Sequence, residues 1–243
     1  MRAMTQCREN LFRCTRVLKV GGVMLATIPF HRKRRALFLD RDSAINVDHT
    51  CVHKKEDFRF IDGVFELVAA ANRTDYLVVV ATNQAGIGRG YYSEADFHSL
   101  MAWVKAQFAA RNERIDAVYF CPFHPEHGVV VYRKDSECRK PAPGMLLQAG
   151  TDLGIEFARS VLVGDKPSDM EAGRAAGVGA LLHLGGESGV GLGIPIQSLA
   201  EAALPVKDQG FEYLIGGECN GAARYEMTPK WFRISIKNWR HKR

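Results

Sequence analysis

The apolar positions of this chain fall into short unbroken runs, separated by stretches in which apolar residues recur every third or fourth place. Ala36-Leu37-Phe38-Leu39 is one such run; it is too short for a helix and reads as a buried strand ending at Asp40. Val64, Leu67, Val68 and Ala71 stand at i, i+3, i+4 and i+7 and predict a helix over Gly63 to Arg73. Tyr76 to Ala81 reads as a second buried strand, followed by Thr82-Asn83-Gln84. Ser93 is the predicted N-cap of the next helix, with Asp96 where a capping box places an acid. Phe97, Leu100, Met101, Val104 and Phe108 then lie along one face. A third strand is predicted over Ala117 to Cys121, a long loop from Pro122 to Pro143, and a helix from Met145 to Leu153. Ser160 to Gly164 is the fourth strand, with Asp165 at its end. A Ser168-x-x-Glu171 capping box predicts the start of a helix running to Ala176, and Gly179 to Leu184 is the fifth strand.

Strands alternating with helices at this spacing predict an α/β fold, a Rossmann-like parallel sheet with helices on both faces and a minimal cap. The expected organisation is a domain over 35–190, with extensions over 1–34 and 191–243. In the first extension, Thr5 to Val17 fits a short helix with Leu11, Cys14 and Leu18 on one face. Arg16 to Pro29 resembles the late helix–turn–strand element of class I methyltransferases, without any glycine-rich cofactor loop. It is expected to be a fusion remnant or an overlong start, with Met24 as an alternative initiator. Gly185 to Gly193 is glycine-rich but lacks the Lys-Ser/Thr of a phosphate loop and reads as a linker, with a short helix over 196–204 beyond it.

Composition changes this picture little. A hydrophobic content of 47% and a charged content of 25% are those of an ordinary globular protein. No window approaches the roughly 18 uninterrupted apolar residues of a membrane span, and no signal peptide is discernible. Six scattered cysteines predict a reducing, cytoplasmic setting rather than a disulfide framework. The net charge of +6 is unevenly spread: residues 1–35 carry +8, residues 222–243 carry +6, and the centre −8. A basic total would suggest nucleic acid, but charge confined to the ends reads as solvated tails. Nucleic acid is not expected as a partner, and a monomer is.

Polar residues recur where strands end. Asp40 and Asp42 follow the first strand, Thr82 the second and Asp165 the fourth. In open parallel sheets such ends converge on one crevice. Carboxylates from separate strand ends suit Mg2+. Lys140 and Lys166 add positive charge, Thr82 and Asn83 add donors, and Gly86, Gly88 and Gly90 free the backbone for a tight loop. Together they describe a phosphate site in which Asp40 can attack phosphorus and Asp42 can move the proton.

Phe38-Leu-Asp-Arg-Asp42, Thr82-Asn-Gln-Ala-Gly-Ile-Gly-Arg-Gly90, Cys138-Arg-Lys-Pro-Ala-Pro-Gly-Met145 and Val163-Gly-Asp-Lys-Pro-Ser-Asp-Met170 resemble the haloacid dehalogenase (HAD) superfamily. More narrowly they resemble its D-glycero-D-manno-heptose 1,7-bisphosphate 7-phosphatases, and Asn46-Val-Asp-His49 and Phe60-Ile-Asp-Gly63 agree. The resemblance spans roughly Arg35 to Leu184. It implies a Mg2+-dependent sugar phosphatase, acting through an aspartyl-phosphate, that serves lipopolysaccharide or another surface glycan. Histidinol phosphate is the related alternative substrate, and a catalytically weakened interaction protein the alternative of another kind. The implied roles are Asp40 as nucleophile, Asp42 as acid and base, and Thr82 and Lys140 as stabilisers of the phosphoryl group. Mg2+ would sit on Asp40, the Asp42 carbonyl and Asp165. Asp48, His49, Thr50, Cys51, Thr82, Asn83, Gln84, Ala85, Arg139, Lys140 and Lys166 would face the substrate. The family usually has glycine after its second aspartate, where this chain has Ser43, so an unusual backbone angle is expected there. The family's C-x-H and C-x-C zinc ligands correspond to Cys121, Phe123, Ser136 and Cys138. Two of the four remain, so a lost or weak zinc site is expected, with His124 and His127 as nearby substitutes.

Overall fold

The computed structural model describes residues 15–20, 23–29, 33–186 and 193–203. Its main body is a six-stranded, all-parallel sheet in the order β5-β4-β3-β6-β7-β8. The strands are β3 (Arg35–Leu39), β4 (Tyr76–Asn83), β5 (Ala117–Cys121), β6 (Val161–Gly164), β7 (Ala180–Leu184) and β8 (Ile194–Ile196). β3 sits between β4 and β6 and is buried from Ala36 to Leu39. Side chains alternate across a strand, so Leu37 and Leu39 face one half of the core and Ala36 and Phe38 the other.

The first half is closed by α1 (Val64–Arg73), α3 (Glu94–Ala109) and α6 (Leu199–Ala203). The second is closed by α4 (Gly144–Leu153) and α5 (Pro167–Ala176). Both faces are therefore covered, as parallel strands with continuous apolar runs require. Ser93 caps α3 as expected: its hydroxyl accepts from the Asp96 amide at 3.1 Å, and the Asp96 carboxylate accepts from the Ser93 amide at 2.9 Å.

Several elements differ from expectation. α5 begins at Pro167, ahead of the Ser168-x-x-Glu171 box, because Asp169 accepts the Lys166 amide at 3.1 Å and proline suits the first helical position. The expected tight glycine loop contains a short helix, α2 (Ala85–Gly88). Gly86 serves close packing there, since a Cβ would collide with the Tyr92 ring. The sheet also runs past residue 190 to β8, and α6 beyond it packs against α1. Pro195 in β8 is tolerated because it lies on an edge strand.

Arg16–Pro29 is not helix–turn–strand. Thr15–Val20 (β1) pairs antiparallel with Val23–Pro29 (β2). β-branched residues in both segments suit strands. The helix expected over Thr5 to Val17 is strand from Thr15 to Val17; its earlier part, most of the Gly185–Gly193 linker and the basic tail from 204 lie outside the described residues.

Candidate active site

The parallel register brings the ends of β3, β4 and β6 side by side, and the polar groups after them meet in one crevice. Asp40 is 6% exposed, and its Oδ1 lies 2.7 Å from Lys140 Nζ. The same ammonium lies 2.6 Å from Asp169 Oδ1 and donates to the Ala81 carbonyl at 2.8 Å. Its three N–H groups thus have three acceptors, which is what permits a lysine to be buried here.

Asp40, Asp165 and Asp169 bring carboxylate oxygens within 4.8 Å of one another. Asp165 Oδ1 is buried with no hydrogen-bond partner. A hard divalent cation coordinated by oxygens fits that donor set. Burial pushes Asp40 up to about 6, partly countered by Lys140 and reinforced by Asp169 and Asp42. Asp165 is also raised by burial, with Lys166 and the Ser43 side chain pulling it down. Burial depresses Lys140, but Asp40 and Asp169 outweigh that and leave it above its ordinary value.

The Asp42 carboxylate is not among the three. Its oxygens accept from Arg41 Nη2 at 2.7 and 2.9 Å, Asn46 Nδ2 at 3.1 Å and Gln84 Nε2 at 3.0 Å. Arg41 is fully buried and also donates to the Val52 carbonyl at 2.8 Å. Ser43, next along, has φ 72°. The left-handed angle expected of a glycine position is therefore carried here by a serine.

The other predicted residues divide into two groups. Thr82 is 1% exposed at the end of β4, and Ala85 opens α2. Asn83 clamps the backbone of Lys140, donating to its carbonyl and accepting from its amide, both at 3.0 Å. The Gln84 side chain is likewise buried among protein groups, and its backbone amide donates to the Cys121 carbonyl at 2.8 Å. Arg139 is half-buried and donates to the Phe123 carbonyl at 3.2 Å.

Lys166 reaches across to Asp48 at 3.5 Å. Asp48, His49 and Thr50 are exposed and Cys51 half-buried, with Thr50 and Cys51 at φ 65° and 59°. His49, Thr50 and Cys51 help line a cavity of about 420 Å³ bounded by Arg59. Asp169 had no assigned role in the sequence, although its signal was there: Asp165-x-x-x-Asp169 straddles a helix start marked by Pro167. Asn46 lay in a segment that agrees with the family but had no assigned role, and Tyr92 left no comparable signal.

At the zinc-loop positions, the Cys121 thiol hydrogen-bonds Cys138 and holds it below its ordinary value, and Ser136 Oγ lies 3.1 Å from Cys138 Sγ. His124 Nδ1 accepts the amides of Glu126 and His127 at 3.2 and 3.1 Å. Among the described residues, no third ligand joins the two cysteines.

A family model described as HAD-hydrolase-like matches residues 137–194. The D-glycero-alpha-D-manno-heptose-1,7-bisphosphate 7-phosphatase of Burkholderia mallei is 56% identical over 150 residues, 62% of this chain and 79% of that protein. The chain belongs to the HAD superfamily of phosphatases. It is a phosphoric monoester hydrolase. The D-glycero-beta-D-manno-heptose-1,7-bisphosphate 7-phosphatase of Vibrio cholerae is 49% identical over 171 residues, 70% of this chain and 89% of that one. Among solved structures, the D,D-heptose 1,7-bisphosphate phosphatase of B. bronchiseptica, complexed with magnesium and phosphate, superposes with a TM-score of 0.62 at 25% identity. That match covers 71% of this chain and 97% of the other. The HAD fold accounts for the parallel sheet and for the crevice at its strand ends. No helix among the described residues is long and apolar enough to cross a membrane.

Proposed function

We propose that this HAD phosphatase removes the 7-phosphate of D-glycero-D-manno-heptose 1,7-bisphosphate in the cytoplasm, as a monomer, using Mg2+ and no zinc. The observation that carries the chemistry is Asp40, buried at the end of β3 with one oxygen held by Lys140 and two further carboxylates beside it. The relatives' names carry the substrate.

Asp40 and Asp165, with Asp169 nearby, would hold the cation, which when bound offsets the negative charge of carboxylates and phosphate. Asp40 attacks phosphorus, the bond to the sugar oxygen breaks, and Asp42 gives that oxygen its proton. Asp42 then takes a proton from water as the water attacks phosphorus, releasing phosphate and restoring Asp40. Lys140 and the Thr82 hydroxyl stabilise the phosphoryl oxygens. The loop from Asp48 to Cys51, with Arg139 and Lys166, faces the sugar.

Phosphate release from a panel of sugar phosphates and histidinol phosphate, with and without Mg2+, tests this reading. Metal-dependent turnover greatest on the heptose bisphosphate is expected. A preference for histidinol phosphate would overturn the substrate, and Asp40→Asn retaining full turnover would overturn the nucleophile.

A further inference from the structure

Gln84 touches two of the groups to which chemistry is assigned above. One N–H of its amide goes to Asp42 Oδ2 at 3.0 Å, the other to Thr82 Oγ1 at 2.9 Å. Its carbonyl oxygen accepts from the Tyr92 hydroxyl at 2.6 Å. A side-chain amide can face either way round, but here only one way works. Reversed, the amide oxygen would point at the Asp42 carboxylate, acceptor against acceptor. Tyr92 selects the productive orientation by donating to the oxygen, and burial keeps the phenol protonated by raising it above its ordinary value. The ring is itself fixed: it stacks on His53 with centroids 4.9 Å apart and planes 6° from parallel, and it packs where Gly86 leaves no Cβ.

We infer that Gln84, oriented by Tyr92, is a positioning pair that aims the Asp42 carboxylate and the Thr82 hydroxyl at the phosphoryl group. Because Gln84 occupies a lone pair of Thr82 Oγ1, the hydroxyl hydrogen is left to donate to a phosphoryl oxygen. Because Gln84 shares Asp42 with Arg41 and Asn46, it limits the directions from which Asp42 can deliver a proton. Neither residue touches substrate in this scheme. The inference rests on the reading of Asp42 as proton donor and Thr82 as phosphoryl ligand.

The test uses Tyr92→Phe, which removes only the hydroxyl, and Gln84→Leu, with Asp42→Asn as reference and thermal melting to check folding. Each is assayed on an alkyl phosphate, whose leaving oxygen needs a proton, and on p-nitrophenyl phosphate, whose leaving group does not. A positioning role predicts kcat/KM on the alkyl phosphate falling about tenfold for Tyr92→Phe and more for Gln84→Leu, against Asp42→Asn in the general-acid range of about 10²–10⁴. On p-nitrophenyl phosphate both losses should be several-fold smaller. Equal losses on the two substrates, in folded protein whose Asp42→Asn does discriminate, would overturn the aiming of Asp42, and undiminished turnover of p-nitrophenyl phosphate would overturn the aiming of Thr82. If Asp42→Asn itself fails to discriminate, the acid role falls and the inference falls with it.

Discussion

Replacing Lys140 by methionine keeps the length of the side chain and removes its charge. The ammonium now lies 2.7 Å from Asp40 and 2.6 Å from Asp169, and the two carboxylates have oxygens within 4.8 Å. Without it they repel each other by about 3.5 kcal/mol at that separation and an effective dielectric of ~20. Removing one partner of a buried ion pair costs about 3–5 kcal/mol by the general experience of such variants. Lys140→Met should therefore lose about 3 kcal/mol of stability near neutral pH, read from urea unfolding in EDTA. Asp40 stands at about 6 in the folded chain against 3.8 when unperturbed, so the folded state is the one that takes up protons as pH falls. Lys140 holds Asp40 down, so in Lys140→Met that carboxyl takes up its proton at a higher pH than in the parent, and the loss should shrink as pH falls toward about 6 and level off below it. Asp169→Asn in the same chain should recover much of the loss, because the facing charge is gone. A loss that is independent of pH, or two variants whose costs simply add, would refute the idea that Lys140 neutralises a repulsive pair.

Burial raises both Asp40 and Asp165, so a cation must displace protons at low pH; Mg2+ affinity, followed by calorimetry, should weaken about tenfold per pH unit below about 6 and stay flat above about 7. Unchanged affinity at pH 5 would contradict that donor set. Ser43 stands at φ 72° and its side chain also bonds Asp165, so the strain is read from Ser43→Gly against Ser43→Ala: the glycine should be the more stable by about 1 kcal/mol, seen as a higher urea midpoint, and a lower one counts against strain at that turn. Metal analysis of the purified protein should find zinc well below one equivalent, and a full equivalent would mean that Cys121 and Cys138 recruit further ligands.

Much of the sheet was legible because its strands are buried on both faces. A run such as Tyr76-Leu-Val-Val-Val-Ala81 has no partner reading once helix length is excluded. The signal failed where tertiary contacts decide. Ser168-x-x-Glu171 is a good local cap, but Asp169, needed at Lys140, also caps the turn one residue after Lys166, and the helix starts there. β8 has three residues and a proline, too little periodicity to register, and is defined by pairing with β7. In the site, Asp40, Thr82, Lys140 and Asp165 could be found because acids, hydroxyls and cations after apolar runs stand out. Tyr92 could not, because its part depends on a hydrogen bond to Gln84 that the spacing of aromatic residues does not encode.

The segment over 122–143 raises a further point about how Lys140 is held. A long loop carrying a buried lysine must be fixed by something. Here Asn83 binds both backbone groups of Lys140, and the Asn83 backbone is itself in register with Cys121 on β5. Arg139 ties the preceding residue to Phe123, and the Gly144 amide donates to the Glu137 carbonyl at 2.8 Å, closing the loop behind it. Each bond contributes only about 1 kcal/mol, yet together they constrain the same few residues from three sides. Lys140 then needs only its two carboxylates and the Ala81 carbonyl to complete its placement. Lys140 is therefore positioned by β4, through Asn83 at its end, by a route made entirely of protein hydrogen bonds.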